Sequence, residues 1–200
     1  MAKHPHAPPP SPACPATAGR PVPGNITWYT PDDDGAIFVA RDTELGRHVT
    51  CPCAPGNGTP RFGEQCPVRQ RELMAQRNCG LCTQTIEPTA ELVFIGETDA
   101  PYYLEPALHP LCAAYALQVC PVLHAQGERI EVALTHSYTL AEDRITGIAA
   151  DGTLRYSAFA RGDLAAHHLA ILNFYLAIPD TPERLTAPTW LAQRAPKLLP

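Results

Sequence analysis

Lysine is almost missing from this chain. Of 15 basic residues only Lys3 and Lys197 are lysines, and the rest are arginines. The formal charge at pH 7 is −5, which excludes the broad basic surface that drives non-specific binding to nucleic acid. Aromatic residues make up only 7% and limit the core to a modest one, although 45% hydrophobic content over 200 residues suffices for one domain, or one domain with a tail. No run approaches the ~20 apolar residues that cross a bilayer as a helix, so no membrane partner is expected. The opening MAKHPHAPPPSPACPATAG lacks the apolar segment of a secretory leader. The expectation is a cytoplasmic protein whose eight cysteines are thiols or metal ligands rather than disulfides.

Catalytic signatures are equally scarce. There is no Gly-x-Ser-x-Gly elbow, no phosphate-binding Gly-rich loop ending in Lys, no dinucleotide fingerprint and no His-Glu-x-x-His helix. His167 and His168 cannot act on one atom, because adjacent helix residues point about 100° apart; like His136, they read as surface or half-buried histidines. A deaminase zinc site needs Glu two residues after its His, where this chain has Leu111.

Cysteine and proline are what the chain does have. The organising stretch runs from Asn78 to Cys120, NCGLC followed by LHPLCAAYALQVC. Cys79 and Cys82 form one pair, His109 and Cys112 another, with 26 residues between the pairs. Two-residue spacing lets both members of a pair reach one ion, and four N/S donors of this kind suit a closed, tetrahedral Zn²⁺ site. Gly80 is expected to supply an unusual backbone angle at the first pair. Pro110 suits the first turn of a helix, so His109 and Cys112 would project from a helix N-terminus. A knuckle plus such an N-terminus is a treble-clef-like arrangement, and its zinc would be structural.

A second, weaker grouping is His48, Cys51, Cys53 and Cys66, able to complete another zinc site, with His48, Cys120 or water as the fourth ligand. Packed, reduced thiols are its plain alternative. Cys66-Pro67 opens a helix running through Gln76. Arg61, Arg69, Arg71 and Arg77 form the only local basic cluster, a candidate nucleic-acid contact whose default reading is a solvated helix surface. Arg69 and Arg77 fall on one side of that helix and Arg71 nearly opposite, so they make no stripe.

The combination CPC…PRFGEQCPVRQRELM…CGLC…FIG…EPALHPLCAAYALQVCP, roughly residues 45–125, resembles a group of uncharacterised proteins from actinobacteria and their phages. The resemblance implies zinc binding and an intracellular location, and implies no reaction.

The rest of the chain is read as follows. Residues 1–24, with eight prolines, form a flexible tail carrying His4, His6 and Cys14. Residues 25–125 form the zinc-binding domain, and 126–200 an extension that is either separate or packed on the same core. NITWYT (25–30) and AIFVAR (36–41) read as a hairpin closed by PDDDG, whose three Asp belong to the turn. ELVFIG (91–96) and EVALTHSYTL (131–140) are strands. Asp151-Gly152 marks a hairpin within 144–159. Asp163 caps a helix over 164–177, and a last short helix starts at Thr181. The fold class expected is α+β: small antiparallel hairpins, a treble-clef-like zinc site, and a C-terminal hairpin plus helix. The function expected is a zinc-stabilised interaction module for protein or nucleic acid. The alternative is a treble-clef (ββα-metal) nuclease, which would need a His base free of the structural ion; His109 is already a ligand and His124 lies past the helix.

Overall fold

The structure is a computed structural model that describes residues 16–17, 20–30 and 37–198. His4, His6, Cys14 and the Asp32–Asp34 turn lie outside the described residues. The chain is α+β, with strands predominating. In order, its elements are β1 (Ala16–Thr17), β2 (Arg20–Pro21), β3 (Ile26–Tyr29), β4 (Phe38–Asp42), β5 (Gly46–Thr50), β6 (Thr59–Gln65), α1 (Pro67–Ala75) and β7 (Leu92–Glu97). They continue with α2 (Pro110–Val119), α3 (Pro121–Gln126), β8 (Ile130–Thr135), β9 (Tyr138–Ile148), β10 (Leu154–Ala160), α4 (Leu164–Leu169), β11 (Ile171–Pro179), β12 (Glu183–Thr186) and α5 (Ala187–Leu198).

The main sheet has five strands in the order β10-β9-β11-β5-β4. All its neighbours are antiparallel except β11 and β5, which pair in parallel through Leu172 and His48. A second, antiparallel sheet has the order β12-β8-β7. Tyr103 ties the two together, exchanging both backbone hydrogen bonds with Ala177 of β11 at 2.8 and 2.9 Å and donating its hydroxyl to Glu131 of β8 at 3.4 Å. Strands from before and after residue 126 therefore share both sheets. One buried cluster holds Cys79, Cys82, Phe94 and Cys112 together with Leu172, Tyr175 and Ala177.

Several local expectations are met in place. Pro67 opens α1 and Pro110 opens α2, each at the first helical position. Residues 149–153 turn β9 into β10 with Ala149 N–H bonded to the Thr153 carbonyl at 2.7 Å. Asp163 caps α4 by accepting from Ala165 N at 2.9 Å and Ala166 N at 3.4 Å.

Four expectations are overturned. β3 does not pair with β4: β3 pairs with β6, and β4 with β5. The helix expected over 164–177 stops at Leu169, and 171–179 is strand β11. That strand is flanked by β9 and β5 and packed on both faces, so its apolar run lacks the alternation that marks a strand and imitates a buried helix. Residues 183–186 extend the second sheet as β12, and the last helix begins at Ala187 and runs through both Pro188 and Pro196. Finally, the packed chain begins before residue 25. Val22 is fully buried against Ile26 and Trp28, and Gly24 N–H bonds the Gly80 carbonyl at 2.7 Å.

α1 lies on the main sheet and is keyed there by Gln70, which is fully buried. Its Nε2 donates to the Tyr175 carbonyl at 2.8 Å and the Leu104 carbonyl at 2.7 Å, and its Oε1 accepts from Tyr175 N at 3.1 Å. Gln70→Leu keeps the volume but strands these backbone groups. At about 1–3 kcal/mol for a buried unsatisfied group, a loss of roughly 2–4 kcal/mol is expected in denaturant unfolding.

Gly46, at the start of β5, has φ of 67°. A Cβ there would sit 2.9 Å from the His167 carbonyl oxygen. Gly46→Ala combines a left-handed backbone cost of about 1–2 kcal/mol with displacement of α4. It is expected to lower the melting temperature, whereas an alanine at the half-buried Gly147, where nothing lies within 4 Å, has no such clash.

Candidate metal centre

α1 ends at Ala75, and the chain turns back on itself before β7. Asn78 and Thr85 bridge this turn, Cys79 N bonds the Gln84 carbonyl at 2.8 Å, and Thr83 N bonds the Cys79 carbonyl at 2.9 Å. The left-handed residue of the turn is Thr83, with φ of 62°, not Gly80. Gly80 serves a different need: a Cβ there would meet the Pro106 carbonyl at 3.2 Å, so its absence lets the segment before α2 lie against the turn. Gly80 N bonds the Ala107 carbonyl at 2.9 Å, and Leu108 exchanges backbone bonds with Val93 of β7 at 2.8 and 3.0 Å. His109 is the N-cap of α2 and Cys112 sits in its first turn.

These constraints bring Cys79, Cys82, His109 and Cys112 together, with every donor atom within 4.8 Å of every other. The three cysteines are buried and His109 is half-buried. The His109 Nδ1 faces the Cys82 Sγ at 3.4 Å. Cys112, then Cys82 and His109, crowd the Cys79 sulfur and drive its pKa far below the usual thiol range. Facing Cys79 and then Cys82, the His109 imidazolium is pushed up to about 10, and Cys112 is pushed upward by the same two neighbours. A compact set of soft donors with thiolate character is the chemistry a soft divalent cation satisfies. These residues could hold a metal ion.

A second group forms at the other end of α1. Cys51, Cys53 and Cys66 have all three sulfurs within 4.8 Å of one another. Cys51 Sγ lies 2.8 Å from Cys53 Sγ and 2.9 Å from Cys66 Sγ. Cys66 is the N-cap of α1 and its pKa is lowered to about 6, first by Cys51 and in part by the backbone N–H groups of Arg69 and Val68. His48 stands apart from this group. Its Nδ1 is 3.1 Å from the Gly46 carbonyl and 3.7 Å from Asp42, because the β4–β5 pairing faces it toward the hairpin end. Cys120, at the junction of α2 and α3, joins neither group.

The segment before β3 spans both groups. Gly24 bonds the Cys79–Cys82 turn and the Asn25 carbonyl accepts from Cys66 N at 2.7 Å. Sequence inspection gave no sign of this link, since residues 22–28 carry no ligand.

Two of the four clustered arginines, Arg71 and Arg77, are spent on backbone carbonyls. Arg71 is buried, donating to the Asn173 carbonyl at 2.6 Å and the Val49 carbonyl at 2.8 Å. Arg77 wraps the metal-side turn, donating to the carbonyls of Ile86 at 3.1 Å and His136 at 3.0 Å, among others. Arg69 pairs with Glu72 at 3.0 Å. Arg61 pairs with Glu64 at 3.3 Å and stacks over Tyr29 at 4.0 Å. No helix among the described residues is long and apolar enough to cross a membrane. Comparison of the chain with protein-family models, curated proteins and solved structures found no match.

Proposed function

We propose that this chain is a zinc-stabilised interaction module, with one structural Zn²⁺ held by Cys79, Cys82, His109 and Cys112 and a protein as its partner. The carrying observation is closure. Three of the four donors are buried in the main core, and four N/S donors are the full number of a closed tetrahedral zinc site, so an ion held by all four would have no position left for a substrate. A zinc at this place would fasten the α1–β7 turn to the start of α2, and such binding free energy is folding free energy. The knuckle-plus-helix order supports a treble-clef-like description. Its usual hairpin is reduced to the Val93–Leu108 bridge, since β7 takes its long pairing with β8, beyond α2.

A protein partner is favoured over nucleic acid by the fate of the arginines. Arg71 and Arg77 spend their donors on backbone carbonyls, Arg61 and Arg69 are matched by glutamates, and the chain is acidic overall. The nuclease alternative gains no support, because His109 belongs to the donor set and both metal-competent groups among the described residues are thiol-rich rather than carboxylate-rich. Thiols that must stay reduced to bind metal fit a reducing compartment, so a cytoplasmic location is part of the proposal, as is kinship with the actinobacterial and phage proteins that residues 45–125 resemble.

The test compares zinc-loaded and zinc-stripped protein as bait in affinity capture, alongside fluorescence anisotropy on labelled DNA and RNA at low salt. The expectation is a protein captured only by the loaded form and no nucleic-acid binding. Salt-dependent DNA binding that disappears in Arg61→Glu/Arg69→Glu, or DNA cleavage with Mg²⁺ or Mn²⁺, would overturn the reading.

A further inference from the structure

The Cys51–Cys53–Cys66 group is built differently from the four-donor centre, and the difference is chemical. We infer that these three sulfurs form a second zinc site whose fourth position is open to solvent and exchanges its ligand. The site is distinct from the Cys79 centre, and counting it as the second zinc rests on the zinc proposed there.

Three observations carry it. First, the sulfurs converge although they come from two separate segments, the end of β5 and the start of α1. Second, the three sulfurs are in direct contact, with Cys51 Sγ 2.8 Å from Cys53 Sγ and 2.9 Å from Cys66 Sγ, and Cys66 stands at the N-terminus of a nine-residue helix, whose dipole favours an anionic sulfur there. Third, among the described residues no His, Asp, Glu or further Cys completes the set. Cys51 and Cys53 are only half-buried, and the loop that follows, Ala54–Gly58, is exposed.

Three thiolates and one open position is the pattern of a zinc that holds water and can take an external donor. The closed Cys₃His centre, in contrast, offers no such place. The two sites should therefore differ in exchange rate and in response to added ligand.

The experiment uses the full chain loaded with zinc or Co²⁺. Native mass spectrometry is expected to show two zincs per chain. Cys53→Ser, at a half-exposed position, is expected to carry one zinc and keep its circular dichroism spectrum. A chromogenic chelator should remove the first zinc from the wild type at least tenfold faster than the second, and the fast phase should vanish in Cys53→Ser. In the Co²⁺ form, added imidazole or 2-mercaptoethanol should shift the ligand-field bands of the wild type and leave those of Cys53→Ser unchanged. One zinc at saturation with Cys51, Cys53 and Cys66 free to alkylate, or joined in a disulfide, overturns the site. Two zincs with a Co²⁺ spectrum indifferent to both ligands overturns the open position and assigns the fourth donor to the chain itself. If Cys53→Ser fails to fold, the chelator kinetics and ligand titration of the wild type decide alone.

Discussion

Cys82→Ser is expected to leave the protein unfolded, or barely folded, at 25 °C, and excess zinc will not restore it. Structural zinc contributes about 10–16 kcal/mol in small zinc domains, so one of four ligands is worth roughly 3–4 kcal/mol. The variant also leaves the Cys79 thiolate, which is fully buried, without its share of positive charge, and an uncompensated buried charge costs further kcal/mol. Together these approach the about 5–15 kcal/mol that a whole domain possesses. Because the site joins the α1–β7 turn to α2 in the main core, the loss is not confined to a loop. Cys120→Ser is the matched control. That sulfur belongs to neither group, and its replacement should leave stability and metal content at wild-type values. Far-UV circular dichroism and urea unfolding read both outcomes.

Glu142→Ala is expected to destabilise the fold by about 3–5 kcal/mol through a wholly different mechanism. Arg144 is fully buried and Glu142 nearly so. Their Nε and Oε2 atoms lie 2.7 Å apart, and the other Glu142 oxygen accepts from Gly162 N at 3.2 Å. Arg144 reaches the carbonyls of Ala170 and Leu45 only at 3.3 Å each, too long to replace a carboxylate. Truncating the acid strands a guanidinium in the core of the main sheet. For a chain of this size, a fall in melting temperature of roughly 6–20 °C follows. The double variant Glu142→Leu/Arg144→Met removes both charges and is expected to recover more than half of the loss, since a buried ion pair and a packed apolar pair of similar volume are often near equal. A double variant no better than Glu142→Ala would show that the carbonyl and amide contacts, not the charge, carry the stability.

The four-donor set was legible in the sequence because its ligands come in two tight pairs, each fixed by a local device, a turn for Cys79 and Cys82 and a Pro-started helix for His109 and Cys112. The three thiols were legible as a group. That His48 stands apart from them was not, because its direction depends on which strand β4 pairs with, and that is a long-range choice. PDDDG looked like a hairpin turn, yet β3 gives its edge to β6, seated beside Cys66 by the Asn25 carbonyl. The same limit explains β11. Ile171–Pro179 is apolar on both faces since it lies between β9 and β5, and no local pattern distinguishes that from a buried helix. Arg71 and Arg77 read as surface charge because helical rotation places a side chain but does not say which carbonyls wait for it. Their partners, Asn173, Val49 and His136, are far away in sequence.

If a metal at Cys79, Cys82, His109 and Cys112 holds this fold together, metal and tertiary structure are lost in one step. Metal content is followed through stepwise chelation by native mass spectrometry on protein purified without added zinc, with near-UV circular dichroism recorded on the same samples. At least one zinc is expected to stay bound until the near-UV signal collapses, and the two to disappear together. Metal-free protein that keeps its near-UV spectrum would contradict it.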